Sequence, residues 1–167
     1  MRYQETQRFS GWVWVPLLGA AGVVWWGAYQ QLVGGRPFGS DPAPDGVLAM
    51  IWLLTGVGLP ALFGASHLRT EVRNDGVQLR FFPFHVRGKH WRFDEIAEVY
   101  ARDYSPIREY GGWGIRFGIR GNGWAYNPRG SRGVQLVLRS GRRILIGSQS
   151  PERLAMAIRE GVERARR

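Results

Sequence analysis

The 167-residue sequence has no cysteine and a single lysine, Lys89. Without thiols it holds no disulfide scaffold, no thiolate zinc site and no cysteine nucleophile, and it carries no cysteine signal of redox compartment. Two long segments, Phe9–Gly35 and Gly46–Ser66, contain no Asp, Glu, Lys, Arg or His. Buried ionisable groups mark proton relays and ion pathways in membranes, so their absence argues against a pump or transporter acting alone.

Catalytic constellations are missing too. His67, His85 and His90 are the only histidines. His85 and His90 lie near Asp94 and Glu95, but five residues across a turn is not a metal-ligand spacing and no second pair exists. Asp94, Glu98, Asp103 and Glu109 follow no spacing that would pair two carboxylates for acid–base work. The glycine runs Gly111-Gly112-Trp113-Gly114 and Gly121-Asn122-Gly123 do not join a strand to a helix, as a phosphate cradle requires, and read instead as turns and bulges. No enzymatic activity, metal or cofactor is expected.

What is present is asymmetric. The first 66 residues hold three cations and three carboxylates; the rest hold 20 and 10, which accounts for the whole formal charge of +10. The two uncharged segments are long enough to cross a ~30 Å hydrocarbon core at ~1.5 Å per residue. Spans are expected at about 11–30 and 46–66. Trp12 and Trp14 at one end of the first span, and Trp25 and Trp26 at the other, suit the two membrane interfaces. Ala61 and Ala65 form a small-xxx-small pair in the second span. A cleaved signal peptide would have a shorter apolar run and an Ala-x-Ala site.

Between the spans lies a Pro/Gly-rich turn, Gly34–Asp45. Arg2 and Arg8 precede the first span, and Arg69, Arg73 and Arg80 follow the second. Positive flanks stay inside, so a multi-pass protein of the cell (inner) membrane with both termini cytoplasmic is expected. The division is residues 1–66, tail and hairpin, and residues 67–167, a cytoplasmic β domain.

From His67 the pattern changes to period two. Strands are expected at 68–74, on either side of the Asn74-Asp75-Gly76 turn, at 90–93, through Val99 to Asp103, at 113–120, at 124–127, and in a hairpin at 133–139 and 143–148. Ser105–Gly112 reads as a loop. Ser150-Pro151 starts a helix over about 151–165, with Ser150 as N-cap and Leu154, Ile158 and Val162 on one face.

The stretch Arg69-Thr70-Glu71-Val72-Arg73-Asn74-Asp75-Gly76-Val77, followed by Arg92-Phe93-Asp94-Glu95-Ile96, resembles bacterial pleckstrin-homology-like (PH-like) domains. A two-helix membrane hairpin ahead of such a domain is familiar in uncharacterised families of that group. The resemblance implies an antiparallel barrel or sandwich closed by a C-terminal α-helix, and a membrane-tethered scaffold rather than an activity. The basic first loop with which many such domains hold phosphoinositides has no counterpart, since Asn74-Asp75-Gly76 lacks a cation.

Arg108, Tyr110, Trp113, Trp124, Tyr126, Asn127, Arg129 and Arg132 collect in two loops. The tryptophans are expected to pack inside the barrel. Arg108, Arg129, Arg132, Arg142 and Arg143 are the candidate binding residues, for anionic lipid head groups or an acidic protein segment. No recognition helix or aromatic nucleic-acid motif supports a nucleic-acid partner. The expected function is a membrane-tethered binding or scaffold module. The alternative is an accessory subunit of a larger membrane complex.

Overall fold

A computed structural model of the chain describes residues 3–85, 87–118 and 121–167. It divides into two compact units, Ser10–Ala65 and a β unit that joins the segment before Ser10 to Ser66–Arg167.

The first unit is a pair of helices, α1 (Gly11–Val33) and α2 (Asp45–Ala65), each long and apolar enough to span a membrane. At 23 and 21 residues, their lengths are about 35 and 32 Å. Pro60 has no N–H to offer the carbonyl four residues back, that of Gly56. The Trp25 indole N–H takes its place, at 3.0 Å. A Cβ at Gly56 would lie 3.2 Å from that nitrogen, so glycine permits the approach. Trp25 also meets Trp52 edge-on, ring centroids 5.1 Å apart. Gln31 ties the connecting turn, donating to the Ala43 carbonyl at 2.7 Å and to Asp45 at 2.8 Å.

The β unit begins with an element absent from the sequence-based reading. Tyr3–Arg8 is a strand, β1, antiparallel to β2 (His67–Val72). Then come β3 (Gly76–Phe82) and β4 (Lys89–Arg92), giving a first sheet of order β1-β2-β3-β4. The Asn74-Asp75-Gly76 turn forms as expected, with Arg73 N–H bonded to the Gly76 carbonyl at 2.9 Å.

The second sheet holds β5 (Ile96–Asp103), β6 (Gly114–Phe117), β7 (Trp124–Asn127), β8 (Arg132–Leu138) and β9 (Arg143–Gly147), in the order β5-β8-β9-β7-β6. The stretch read as a loop at Ser105–Gly112 contains a short helix, α3 (Pro106–Tyr110), which Ser105 caps by accepting from the Arg108 N–H. Of the strand expected at 113–120, residues 119 and 120 lie outside the described residues.

The mainly-β unit with its C-terminal helix is as expected, but the antiparallel barrel or sandwich is corrected on two points. The β8–β9 hairpin inserts between β5 and β7, which makes β7 parallel to β9. The two sheets also keep separate edge strands, β1 and β4 in one and β5 and β6 in the other. The result is an open pair of sheets, with inward apolar side chains of both forming one core around Leu68, Leu79, Phe81, Leu136 and Ile146.

The final helix, α4 (Pro151–Ala165), packs on β5 and β8 and touches β2 and β3. Leu154, Ile158 and Val162 are buried in that core, as their spacing predicts. Ser150 sits at the N-cap, but its hydroxyl makes no capping bond. Gly161 rests on the Phe93 ring, where a Cβ would come within 2.2 Å.

Candidate functional site

Residues opposite one another in adjacent strands share a face, so the pairing registers lay out the outer surface of the first sheet. One row is Arg8, His67 and Phe82; the next is Thr6, Arg69 and Arg80; a third is Gln4, Glu71, Gln78 and His90. Arg8 is three residues from the start of α1, and His67 two from the end of α2. The edge nearest the helices along the chain is therefore basic and partly aromatic.

Arg69 and Arg80 stand directly opposite each other, a like-charge pairing that costs stability unless compensated. Glu71 compensates it. Its carboxylate is buried and lies 2.5 Å from Arg69 and 2.8 Å from Arg73. Burial pushes its pKa up, but hydrogen bonds and charge from Arg73 and Arg69 outweigh that and hold it below the ordinary carboxylate value. Arg80 has no carboxylate within ion-pair distance among the described residues. Phe82 stacks on His67, with ring centroids 5.5 Å apart, and Phe82 and Phe84 are exposed.

The five arginines expected to bind a partner are all exposed but do not form one patch. Arg132, at the start of β8, is ion-paired with Asp103 at 3.2 Å and with Glu152. Arg142 and Arg143 lie at the other end of that hairpin, roughly 20 Å away along a seven-residue strand. Arg108 is on α3, and Arg129 is in the loop before β8.

The loop cluster is organised by a residue not singled out from sequence. Arg102 donates to Glu109 at 2.8 Å, to the Tyr110 hydroxyl and the Gln135 side chain at 3.1 Å. Glu109 in turn accepts from the Ser105 N–H at 2.8 Å. The signal was the Ser105-Pro106 helix start followed by Glu109. This network positions α3 and leaves no free acid–base group in it.

Trp113 is half-buried, with its indole N–H on the Gly130 carbonyl at 2.9 Å. Trp124 is not inside the core but 43% exposed: it shares a face with the buried Tyr126, yet stands at the first position of β7. Among the tryptophans of the helices, Trp12 and Trp26 are exposed and Trp14 is half-buried. Trp25 reaches across to Gly56. His90 faces Asp75 at 3.4 Å, and His85 stands edge-on to Tyr126. Among the described residues no three His, Asp or Glu side chains gather as metal ligands.

No curated protein matches the chain. Residues 3–164, from the first residue of β1 into the last turn of α4, match the family model of DUF6141, a family of unknown function, and the chain belongs to that family.

Proposed function

We propose that the chain is a two-pass membrane protein whose PH-like β unit is held at the bilayer surface and engages anionic lipid head groups without catalysing a reaction. The observation that carries this reading is the pairing of β1 with β2. These strands flank the two apolar helices in sequence. Strands that hydrogen-bond to each other lie on one side of a membrane, so two crossings between them suit the topology and a single crossing does not. Cleavage after the first apolar segment would remove a strand of the β unit.

The tether also supports lipid contact. Arg69 is four residues beyond Ala65, at most ~13 Å of extended chain. Arg8, Arg69 and Arg80 therefore stay near the head-group layer, where each well-placed cation is worth ~1 kcal/mol on an anionic surface. The cytoplasmic leaflet, with its anionic lipids and preference for positive flanks, is the side this arrangement fits. A relation to PH-like domains is supported by the strand succession from β2 to β9 ending in an amphipathic helix that plugs into the core.

The test uses the full chain in nanodiscs mixing phosphatidylcholine with phosphatidylglycerol. Native mass spectrometry should show phosphatidylglycerol retained in excess over its share of the mixture, and Arg8→Glu with Arg80→Glu should abolish the excess. Equal retention of both lipids by the unaltered chain would overturn the lipid reading, and co-purification of a stoichiometric protein would favour an acidic partner or a larger complex.

A further inference from the structure

A cleft of about 530 Å³ opens between the β4 edge of the first sheet and strands β6 and β7 of the second. That volume lies within the range of small-molecule sites. Trp91, Tyr126 and Ile144 are its buried floor. Phe117 and Trp124 form one wall, 64% and 43% exposed, their rings edge to face with centroids 5.4 Å apart. Aromatic side chains of this size are normally covered, and here they are left facing an open recess.

The rim is cationic. Lys89 Nζ stands 5.4 Å above the Trp124 ring and 5.7 Å above that of Tyr126. Arg142 and Arg143 close the opposite side from the β8–β9 turn. None of these three has a carboxylate within ion-pair distance among the described residues, whereas Arg69, Arg73, Arg102 and Arg132 all do. Among the described lining residues one carboxylate, Glu95, also stands on the rim and accepts the Arg92 N–H at 3.0 Å; against Lys89, Arg142 and Arg143 it leaves the rim net positive. The cleft therefore pairs a net positive rim with an uncovered aromatic wall.

We infer that this cleft binds a small anionic ligand carrying an aromatic ring, with the anionic group held by Lys89, Arg142 and Arg143 and the ring laid against Phe117 and Trp124. A cation is repelled by the rim, and an uncharged ligand leaves the three charges unanswered. An inorganic anion leaves the wall exposed. An alkyl anion covers it by area alone, while a ring adds the edge-to-face contact that aromatic pairs favour. The site uses none of Arg8, Arg69 and Arg80 and stands independently of the lipid reading.

The test is calorimetric titration of the full chain, in phosphatidylcholine nanodiscs, with phenyl phosphate, hexyl phosphate, phenol and inorganic phosphate. Phenyl phosphate should bind at least tenfold tighter than each of the others. Arg142→Glu with Arg143→Glu, exposed residues in the β8–β9 turn and at the first position of β9, should weaken it tenfold or more. Trp124→Ala should reduce its affinity to that of inorganic phosphate while leaving inorganic phosphate unaffected. Hexyl phosphate binding as tightly as phenyl phosphate would overturn the aromatic preference. Unaltered binding in both variants would overturn the site.

Discussion

The Gln7 side chain donates to the Gly147 carbonyl at 2.6 Å, a buried hydrogen bond that joins residues 140 positions apart. Beside it Glu5 accepts from the Ser148 hydroxyl at 2.6 Å and from the Gln149 N–H at 2.7 Å. The segment before the first apolar helix is thus bonded both to β2 along its length and to the end of the last strand.

Replacing Gln7 by Ala should therefore destabilise the β unit although the residue precedes the helices. Leaving the buried Gly147 carbonyl unsatisfied costs about 1–3 kcal/mol. Thermal unfolding of the full chain in detergent measures this. A midpoint unchanged from the parent would show that β1 adds nothing to the fold.

Glu71 sets an acid limit on stability. Its folded-state pKa lies below the reference value of 4.5, because Arg73 and Arg69 outweigh the effect of burial. A depressed carboxylate contributes stability that is complete above pH 4.5 and is lost as pH falls through the folded-state value. Glu71→Gln should lower stability near neutrality by about 2 kcal/mol, the scale of a charge-assisted hydrogen bond. It should also shrink the fall in stability on acidification. Parallel stability–pH curves for parent and variant would contradict this role.

Gly161 fixes how closely α4 sits on the Phe93–Glu95 turn that precedes β5. A methyl group there would overlap the Phe93 ring. Gly161→Ala improves helix propensity by about 1 kcal/mol, yet overpacking costs about 1–3 kcal/mol. The net expectation is destabilisation, relieved by Phe93→Leu in the same chain. Stabilisation by Gly161→Ala alone would mean that the helix lifts without penalty.

Which parts of the fold were readable depends on where the information resides. The helices, the Asn74-Asp75 turn and the α4 stripe are written in local pattern, and the structure has them. β1 is not, because of its inward positions only Tyr3 packs against the core, while Glu5 and Gln7 are polar side chains that satisfy Ser148 and Gly147. Hydrophobic periodicity cannot register such a strand. α3 carried its cap, its Pro106 and its Gly111 stop in sequence, but five residues are too few to show a helical stripe. The parallel β7–β9 pairing depends on where the β8–β9 hairpin inserts, a non-local choice. The aromatic cleft is likewise non-local, since Lys89, Trp124 and Arg143 meet only when the two sheets come together.

The absence of cysteine makes the membrane arrangement directly measurable. Every introduced thiol is the only one in the chain. Gln4 on β1 and Ser140 in the β8–β9 turn are exposed, and so is Ser40 in the turn between the helices. Single replacements of each by Cys, expressed in intact cells and treated with a membrane-impermeant maleimide, should separate them into two classes. If α1 and α2 both cross, Ser40→Cys labels from outside, while Gln4→Cys and Ser140→Cys label only after permeabilisation. Because β1 is hydrogen-bonded into the β unit, Gln4 and Ser140 must behave alike whatever the orientation. Labelling of all three from one side would overturn the two-pass reading, and opposite behaviour of Gln4 and Ser140 would contradict the β1–β2 pairing itself.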